Sequence, residues 1–230
     1  MIKNIGIVGC SAEGAALCFK TICVEGARHL GPHVHPQVSL HTHSLADYVV
    51  CLENNDLEGV GDLMLSSASR LQAAGAQFLI CPDNTIHGAM DYVRERSTLP
   101  WIHIAEVVAK EAIDRGFRKV GLTGTQWLVE SEVYPEKLNV VGVAYARPNR
   151  SERQKMGEII MNELVLGDFR PESVEHFQAV IQRLKDEGCD AVVLGCTEIP
   201  LILSDKNSPL PTLDSTRLLA RAALAHAINE

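Results

Sequence analysis

The chain contains one stretch that decides its fold, Ala191-Val192-Val193-Leu194-Gly195-Cys196-Thr197-Glu198-Ile199-Pro200. Its four apolar residues, closed by a glycine, predict a short buried strand that ends in a turn. A similar stretch occurs earlier, where Phe78-Leu79-Ile80 leads into Cys81-Pro82-Asp83-Asn84-Thr85-Ile86-His87. Each strand end carries a cysteine, so the chain repeats one site-building unit. Such a repeat can bring two opposed acid/base groups to one pocket, which inversion of a carbon centre requires.

The beginning of the repeat is also visible. Lys119-Val120-Gly121-Leu122-Thr123-Gly124-Thr125 echoes Ile5-Gly6-Ile7-Val8-Gly9-Cys10-Ser11, and each is a strand that runs into a glycine turn. The two cysteine motifs lie about equally deep behind these starts, which favours an internal duplication. We therefore predict an N-terminal lobe over residues 1–104 and a C-terminal lobe over 105–214. A C-terminal helix at about 215–230 is expected to pack back on the first lobe.

The alternation of short apolar runs with longer segments of helical period predicts the α/β class, with mostly parallel strands joined by crossover helices. The predicted strands are Asn4–Val8, Gln37–Leu40, Phe78–Cys81, Trp101–Ile104, Val120–Leu122, Val140–Val143, Ala191–Leu194 and a short piece near Thr212. The predicted helices are Ala12–Ala27, Gly59–Ala74, Thr85–Arg94, Ala105–Arg115, Glu152–Leu166, Pro171–Glu187 and Ser215–Ile228.

Composition narrows the class of protein. The chain has 230 residues, of which 46% are hydrophobic and 22% charged, as in an ordinary globular protein. Its net charge of −8 argues against nucleic-acid binding, which depends on cations that neutralise phosphates. We recognise no leader segment and no apolar run long enough for a membrane span. Seven cysteines without a disulfide-type spacing indicate thiols in a reducing compartment, and we expect a cytoplasmic protein.

The two strand ends predict the position and the charge of a ligand. In open α/β sheets, ligands bind beyond the carboxyl ends of the strands, where helix N-termini present backbone N–H groups. Asp83-Asn84-Thr85 and Cys196-Thr197-Glu198 occupy such positions. Exposed N–H groups and a helix dipole suit an anion, so we expect a carboxylate or a phosphate.

Cys196 is the strongest candidate for chemistry. A helix that starts after it would lower the pKa of the thiol and allow the thiolate to take a proton from carbon. Thr197 is expected either to donate to a carboxylate or to cap the helix. Glu198 is expected either to tune the thiol or to complement the helix dipole.

Asp83 is the candidate on the other side. Asn84 and Thr85 can bond a carboxylate, although Asp and Asn are also common helix caps. His87 either polarises the site or bonds on a helix surface. Cys81 is a substitute thiol that lies deeper in the strand. An ordinary Asp ionises near pH ~3.9, so Asp83 would be a weak base and would become a useful acid only if burial raised its pKa.

In combination, the Gly-Cys-Thr-Glu motif, Asn84-Thr85-Ile86-His87, the glycine-rich first strand and Glu163-Leu164-Val165-Leu166-Gly167 resemble the aspartate/glutamate racemase superfamily over essentially the whole chain. The resemblance implies two pseudo-symmetric lobes, an active site between them, and racemisation without pyridoxal phosphate or metal. It also implies a homodimer. In that family each lobe supplies an acid/base group, usually a cysteine, on opposite faces of the substrate α-carbon.

The resemblance also assigns residues. Cys196 matches the second family cysteine, whereas Asp83 stands where the first usually lies. Ser11 is a carboxylate ligand of the glycine-rich turn, although Gly14-Ala15 lacks the hydroxyl that the family usually has nearby. Lys155 matches a lysine that faces the distal carboxylate, and its alternative is a solvated position on a helix.

We therefore expect a cofactor-independent racemase or epimerase of aspartate, glutamate or a close carboxylate analogue, with Cys196 and Asp83 as an opposed pair. The alternatives are a single-thiol decarboxylase or cis-trans isomerase of a dicarboxylate, and a catalytically inactive carboxylate-binding protein. We predict no metal site, because the pairs His33/His35 and His41/His43 are not followed by further ligands at an established spacing. Thr42, His43 and Ser44 are instead expected to line the pocket mouth.

Overall fold

The computed structural model describes residues 1–228, which fold into two compact units. The N-terminal unit comprises Met1–Val107 and the chain from Thr216, and the C-terminal unit comprises Val108–Ser215. The strands are β1 (Ile5–Gly9), β2 (Val38–Thr42), β3 (Phe78–Ile80), β4 (Trp101–Ile102), β5 (Lys119–Thr123), β6 (Ala144–Ala146), β7 (Ala191–Leu194) and β8 (Thr212–Asp214). The helices are α1 (Ala12–Leu30), α2 (Leu45–Glu53), α3 (Leu57–Ala73), α4 (Met90–Arg96), α5 (Ile104–Asp114), α6 (Gln126–Glu130), α7 (Val133–Val140), α8 (Arg150–Asn162), α9 (Pro171–Asp186), α10 (Ile199–Ile202) and α11 (Ser215–Ile228). Thr85–Ala89 and Leu164–Leu166 form 3₁₀ helices.

Within residues 1–228, each unit is built on a parallel sheet of four strands. The strand order is β2-β1-β3-β4 in the N-terminal unit and β6-β5-β7-β8 in the C-terminal unit. The first strand of each unit thus lies between the second and the third, and all pairings are parallel. The predicted α/β class is confirmed. The equal strand orders agree with the internal repeat that the sequence indicates.

The C-terminal helix belongs to the N-terminal unit from Thr216 onward. Leu219 and Ala223 of α11 pack in one buried cluster with Ile5 of β1. The guanidinium of Arg221 donates two hydrogen bonds of 2.9 Å to the carboxylate of Glu25 on α1. The N-terminal unit is therefore made of two segments that are far apart in the sequence.

One predicted strand is wrong. Residues 140–143 do not form a strand, because α7 continues to Val140 and the chain then turns through Gly142, whose φ is +75°. The N–H of Val143 bonds back to the carbonyl of Leu138 at 3.0 Å, and sheet pairing begins only at Ala144. The apolar residues that looked like a strand instead complete a helix and its turn.

Other boundaries also differ from the predictions. The predicted helix Glu152–Leu166 is interrupted, since α8 ends at Asn162 and a 3₁₀ helix follows that closes on Gly167 in the left-handed conformation. The predicted strand Trp101–Ile104 stops at Ile102, because Ile104 already opens α5. Helices α2, α6 and α7 were not predicted. Within residues 1–228 we find no helix with both the length and the apolar surface required to cross a lipid bilayer.

Candidate active site

Two glycines shape the strand end that carries Cys196. The N–H of Gly195 donates to the carbonyl oxygen of Thr123 at 3.0 Å, directly after β7 and β5 end side by side. A Cβ atom on residue 195 would lie 2.5 Å from that oxygen, which is too close for any side chain. Gly124 adopts a φ of +154°, and a Cβ atom on it would lie 3.0 Å from the carbonyl oxygen of Gly195. The glycine pair therefore lets the chain turn sharply and fixes Cys196 at the carboxyl end of the sheet.

Cys196 lies against a buried carboxylate. Its Sγ donates to Oε2 of Glu198 at 3.0 Å, and the hydroxyl of Thr197 donates to the same oxygen at 2.7 Å. Glu198 is 2% exposed, whereas Cys196 is 8% exposed. A carboxylate that accepts a bond from a thiol is placed to take the proton of that thiol. The arrangement can thus generate a thiolate at the strand end.

The helix after Cys196 is short. α10 contains only Ile199–Ile202, with Pro200 in its first turn. A single turn aligns few peptide dipoles, so it provides little of the field that the sequence pattern led us to expect. Glu198 is an ionisable group that the thiol contacts directly.

The corresponding strand end of the N-terminal unit is arranged differently. Asp83 is partly exposed, Asn84 is buried and Thr85 is partly buried. The thiol of Cys81 has no exposed surface and lies 3.7 Å from the carbonyl oxygen of Asp83. Burial, and to a lesser degree the charge of Asp83, raise the pKa of Cys81 well above its ordinary value. Cys81 is therefore a protonated core thiol, which does not favour it as the substitute base.

His87 holds this loop in place. The side chain is buried, and its Nε2 donates to the carbonyl oxygen of Cys81 at 2.9 Å. The ring meets the edge of His103 at 4.5 Å, and Nδ1 of His103 accepts the N–H of Ala105 at 3.1 Å. The carbonyl can only accept, so the Nε2 atom of His87 carries a hydrogen. These contacts hold the backbone of Cys81, two residues before Asp83, in place.

A hydroxyl caps the first helix after the leading strand in each unit. Ser11 is buried and accepts the N–H of Gly14 at 3.2 Å, at the start of α1. Thr125 is buried and accepts the N–H of Leu128 at 3.2 Å, at the start of α6. The sequence reasoning proposed Ser11 but missed Thr125. The signal was present in the echo of the two glycine turns, which places the two hydroxyls at equivalent positions.

Lys155 lies on the exposed surface of α8. Its Nζ is 3.8 Å from Oε2 of Glu158 on the same helix, and both side chains are about half exposed. The ammonium group is therefore exposed to solvent, in agreement with the alternative of a solvated position on a helix. Its role toward a distal carboxylate stays a prediction.

The histidines of β2 and the following loop bond to α3. Nδ1 of His41 lies 3.0 Å from the hydroxyl of Ser67, and Nε2 of His43 lies 3.1 Å from that of Ser66. Among residues 1–228, no group of three or more His, Cys, Asp or Glu side chains is arranged to hold a metal ion. The two histidines therefore tie the edge strand to a helix.

Comparison with known proteins connects this geometry to a family. The family model described as Asp/Glu/Hydantoin racemase matches residues 7–223. The broad specificity amino-acid racemase RacX of Bacillus subtilis (strain 168) is 25% identical over 165 residues, which cover 70% of this chain and 70% of that protein.

Solved structures share the fold over the full length. A Yersinia pestis protein assigned as an Asp/Glu racemase is 27% identical, with a TM-score of 0.89 over 99% of this chain and 100% of that chain. An aspartate racemase homologue from Pyrococcus horikoshii OT3 is 26% identical, with a TM-score of 0.81 and the same coverage. These matches confirm the resemblance drawn from the sequence.

Proposed function

Because the chain belongs to the Asp/Glu/Hydantoin racemase family, we propose that it is a cofactor-independent racemase or epimerase of an acidic amino acid or a close carboxylate analogue. Cys196 of the C-terminal unit and Asp83 of the N-terminal unit supply the two acid/base groups. One removes the α-proton of the substrate while the other protonates the opposite face. Relatives of the chain are named racemases, which are isomerases.

The observation that carries this proposal is the bond between Cys196 and Glu198. Oε2 of Glu198 is 3.0 Å from the thiol and is held by Thr197. Transfer of the thiol proton to this oxygen leaves a thiolate, which is a far stronger base toward carbon than a carboxylate. In the reverse direction, Glu198 returns the proton to the thiol, which then protonates the substrate. One pair therefore serves as both base and acid.

The remaining residues of the proposal bind the substrate. Asn84, Thr85, Thr197 and Ser11 bind the α-carboxylate and stabilise the negative charge that develops on it as the α-proton leaves. Lys155 pairs with the distal carboxylate of an acidic substrate. We further propose a cytoplasmic homodimer, which light scattering of the purified protein tests through its molar mass.

A second candidate follows from the inequality of the two strand ends. Cys196 is a thiol beside a carboxylate, whereas the matching position in the N-terminal unit is Asp83. A site with one working thiol suits a decarboxylase or a cis-trans isomerase of a dicarboxylate. A carboxylate-binding protein without turnover is the third outcome.

The test is incubation with each enantiomer of aspartate and glutamate in deuterated water. Because RacX is named for broad specificity, the panel also contains neutral amino acids. NMR follows the loss of the α-proton, and chiral chromatography follows inversion. We expect exchange with inversion, lost in Cys196→Ala and in Asp83→Ala. Cys189→Ala is the matched control, since Cys189 is a buried thiol in the core of the same unit.

The other outcomes separate the candidates. Exchange with retention, or release of carbon dioxide, would favour single-thiol chemistry. Tight binding without turnover would identify the binding protein. Absence of both exchange and binding across the whole panel would contradict the proposal.

A further inference from the structure

The strand that precedes Asp83 pairs with β1, and this pairing brings another thiol to the same sheet end. Three residue pairs join β1 to β3 in parallel register, ending with Ile7 opposite Ile80. Carried past the strand ends at the same offset, the register brings Cys10 level with Asp83. Neighbouring parallel strands lie about 5 Å apart, so residues that stand level at their ends are neighbours.

A buried tyrosine reports the same neighbourhood independently. Tyr48 of α2 is fully buried and packs in one cluster with Cys10 and Cys81. Burial raises the pKa of Tyr48, and the nearby ionisable groups of Cys81, Cys10 and Asp83 raise it further, while the nearby hydroxyl of Ser67 lowers it. Among residues 1–228, the Tyr48 hydroxyl makes no hydrogen bond of normal geometry. Cys10 and Cys81 therefore share one core cluster with this phenol, and the charge of Asp83 is close enough to act on it.

The exposure of the thiols distinguishes Cys10 from its neighbours. Cys10 is 5% exposed, close to the 8% of Cys196, whereas Cys81 and Cys18 have no exposed surface. Burial is also the main cause that raises the pKa of both Cys81 and Cys18. Of the three thiols Cys10, Cys18 and Cys81, Cys10 is thus the one with exposed surface.

We infer that Cys10 is the acid/base thiol of the N-terminal unit and that Asp83 acts through it as its partner carboxylate. The inference rests on the proposed function and changes which atom touches the substrate. Each unit then carries one thiol beside one carboxylate, Cys196 with Glu198 and Cys10 with Asp83. The reaction would then still use two thiols, although Asp83 stands at the position where the first family cysteine usually lies.

The proposed reaction consists of proton transfers only. Asp83 takes the proton of the Cys10 thiol, and the resulting thiolate takes the α-hydrogen. The Cα–H bond breaks, an S–H bond forms, and the electron pair stays on the α-carbon, delocalised into the substrate carboxylate. Cys196 gives its thiol proton to the opposite face and is left as a thiolate. The enzyme resets when the carboxyl of Asp83 releases its proton to water and the Cys196 thiolate takes a proton from water. The reverse direction uses the same groups in the opposite order.

The first experiment measures the thiol without any substrate. The full chain is alkylated with iodoacetamide at pH 8, and the rate at each cysteine is read by peptide mass spectrometry. In Asp83→Asn we expect the Cys10 rate to rise by about three- to tenfold, because loss of the neighbouring negative charge lowers the pKa of the thiol. Cys196 should keep its rate, and Cys18 should stay protected, which reports an intact fold. Asp91→Asn, an exposed position on α4, is the matched control.

An unchanged Cys10 rate in Asp83→Asn would overturn the pairing. The same holds if Cys10 reacts no faster than the buried Cys18 in the wild-type protein.

The second experiment uses the stereochemistry of exchange in deuterated water. With one thiol removed, we expect Cys10→Ser to exchange the α-proton of one enantiomer only, and Cys196→Ser to exchange that of the other. Racemisation should fall by about 100-fold or more in each variant. Cys23→Ser, a half-buried thiol on α1, should behave as the wild type.

The outcomes keep the two proposals apart. If Cys10→Ser racemises at the wild-type rate while Asp83→Ala does not, Asp83 is itself the base and the Cys10 inference is wrong. If the wild-type protein exchanges no substrate, the proposed function fails, and the alkylation rates alone then support or overturn the pairing.

Discussion

The C-terminal unit presents a thiol after β7 that is bonded to a buried carboxylate, whereas the thiol that directly follows β3 in the N-terminal unit is buried and the carboxylate comes two residues later. Both units nevertheless have the same strand order. The comparison teaches that two sheets with the same strand order can carry reactive side chains at equivalent strand ends, although the residue types at those ends differ. When the residue type at one strand end changes, a neighbouring strand of the same sheet can supply the reactive group instead.

Substitution at Glu198 should have the largest effect. Glu198→Gln replaces the carboxylate that accepts the proton of the Cys196 thiol with an amide. We therefore expect the rate of racemisation to fall by about 100-fold or more. Chiral chromatography measures the rate. Glu158→Gln on the exposed face of α8 is the control and should keep the activity. Equal activity of the two variants would mean that the carboxylate beside Cys196 is not used.

Gly195→Ala should damage the same strand end through packing. Its Cβ would lie 2.5 Å from the Thr123 carbonyl, so we expect a loss of about 3 kcal/mol in the free energy of unfolding. The control is Gly157→Ala within α8, whose Cβ meets only atoms of Gln126 at 3.6 Å. That change should stabilise the protein by about 0.5 to 1 kcal/mol.

The unfolding of each unit can be followed separately. Trp101 belongs to the N-terminal unit and Trp127 to the C-terminal unit, and the chain has two tryptophans. Urea titrations of single-tryptophan backgrounds therefore assign a loss of stability to one unit. A Gly195→Ala protein that unfolds like its parent at Trp127 would contradict the close approach of β5 and β7.

His87→Phe tests the strand end of the N-terminal unit. The change removes the donor to the buried Cys81 carbonyl, and an unsatisfied buried acceptor costs about 1 to 3 kcal/mol. Fluorescence of Trp101 in urea should report the loss. His29→Phe, at an exposed position near the end of α1, should change the stability far less. Equal midpoints for the two variants would argue that the loop is held by other contacts.

Removal of the two helix caps should have the smallest effects, and it compares equivalent positions of the two units directly. Ser11→Ala and Thr125→Ala each remove one bond to a helix N-terminus, so each should cost about 1 kcal/mol in its own unit. If Ser11 also binds the substrate carboxylate, its variant should raise KM several-fold in addition. A KM that changes equally in both variants would assign the two hydroxyls the same role.

The sequence predicted the parts of the fold that depend on local pattern. β1 and β7 were visible because strands buried on both faces read as apolar runs closed by glycine. α7 was missed because Pro135 interrupts its helical pattern and the apolar residues 140–143 look like a strand. Gly142, which follows the end of that helix, is the residue in the sequence that indicates a helix C-terminus there.

The candidate site could be predicted from the sequence only where its contacts are local. Cys196 and Glu198 are two residues apart, and their contact is local. The proposed proximity of Cys10 to Asp83 depends on strand order, since β1 and β3 are neighbours although three helices and a strand separate them in the chain. No pattern within a single segment reports such a neighbour.

The place of α11 has a consequence for synthesis on the ribosome. The segment that completes the N-terminal unit, from Thr216, is synthesised after the whole C-terminal unit, and the backbone N–H of Lys3 bonds to the carbonyl of Ala227 at 3.0 Å. The C-terminal unit is continuous in the chain and can fold as soon as it has emerged. The N-terminal unit therefore begins before the C-terminal unit in the chain and is completed after it. Until then, a nascent-chain chaperone would cover the apolar residues of β1 and α1 that α11 buries.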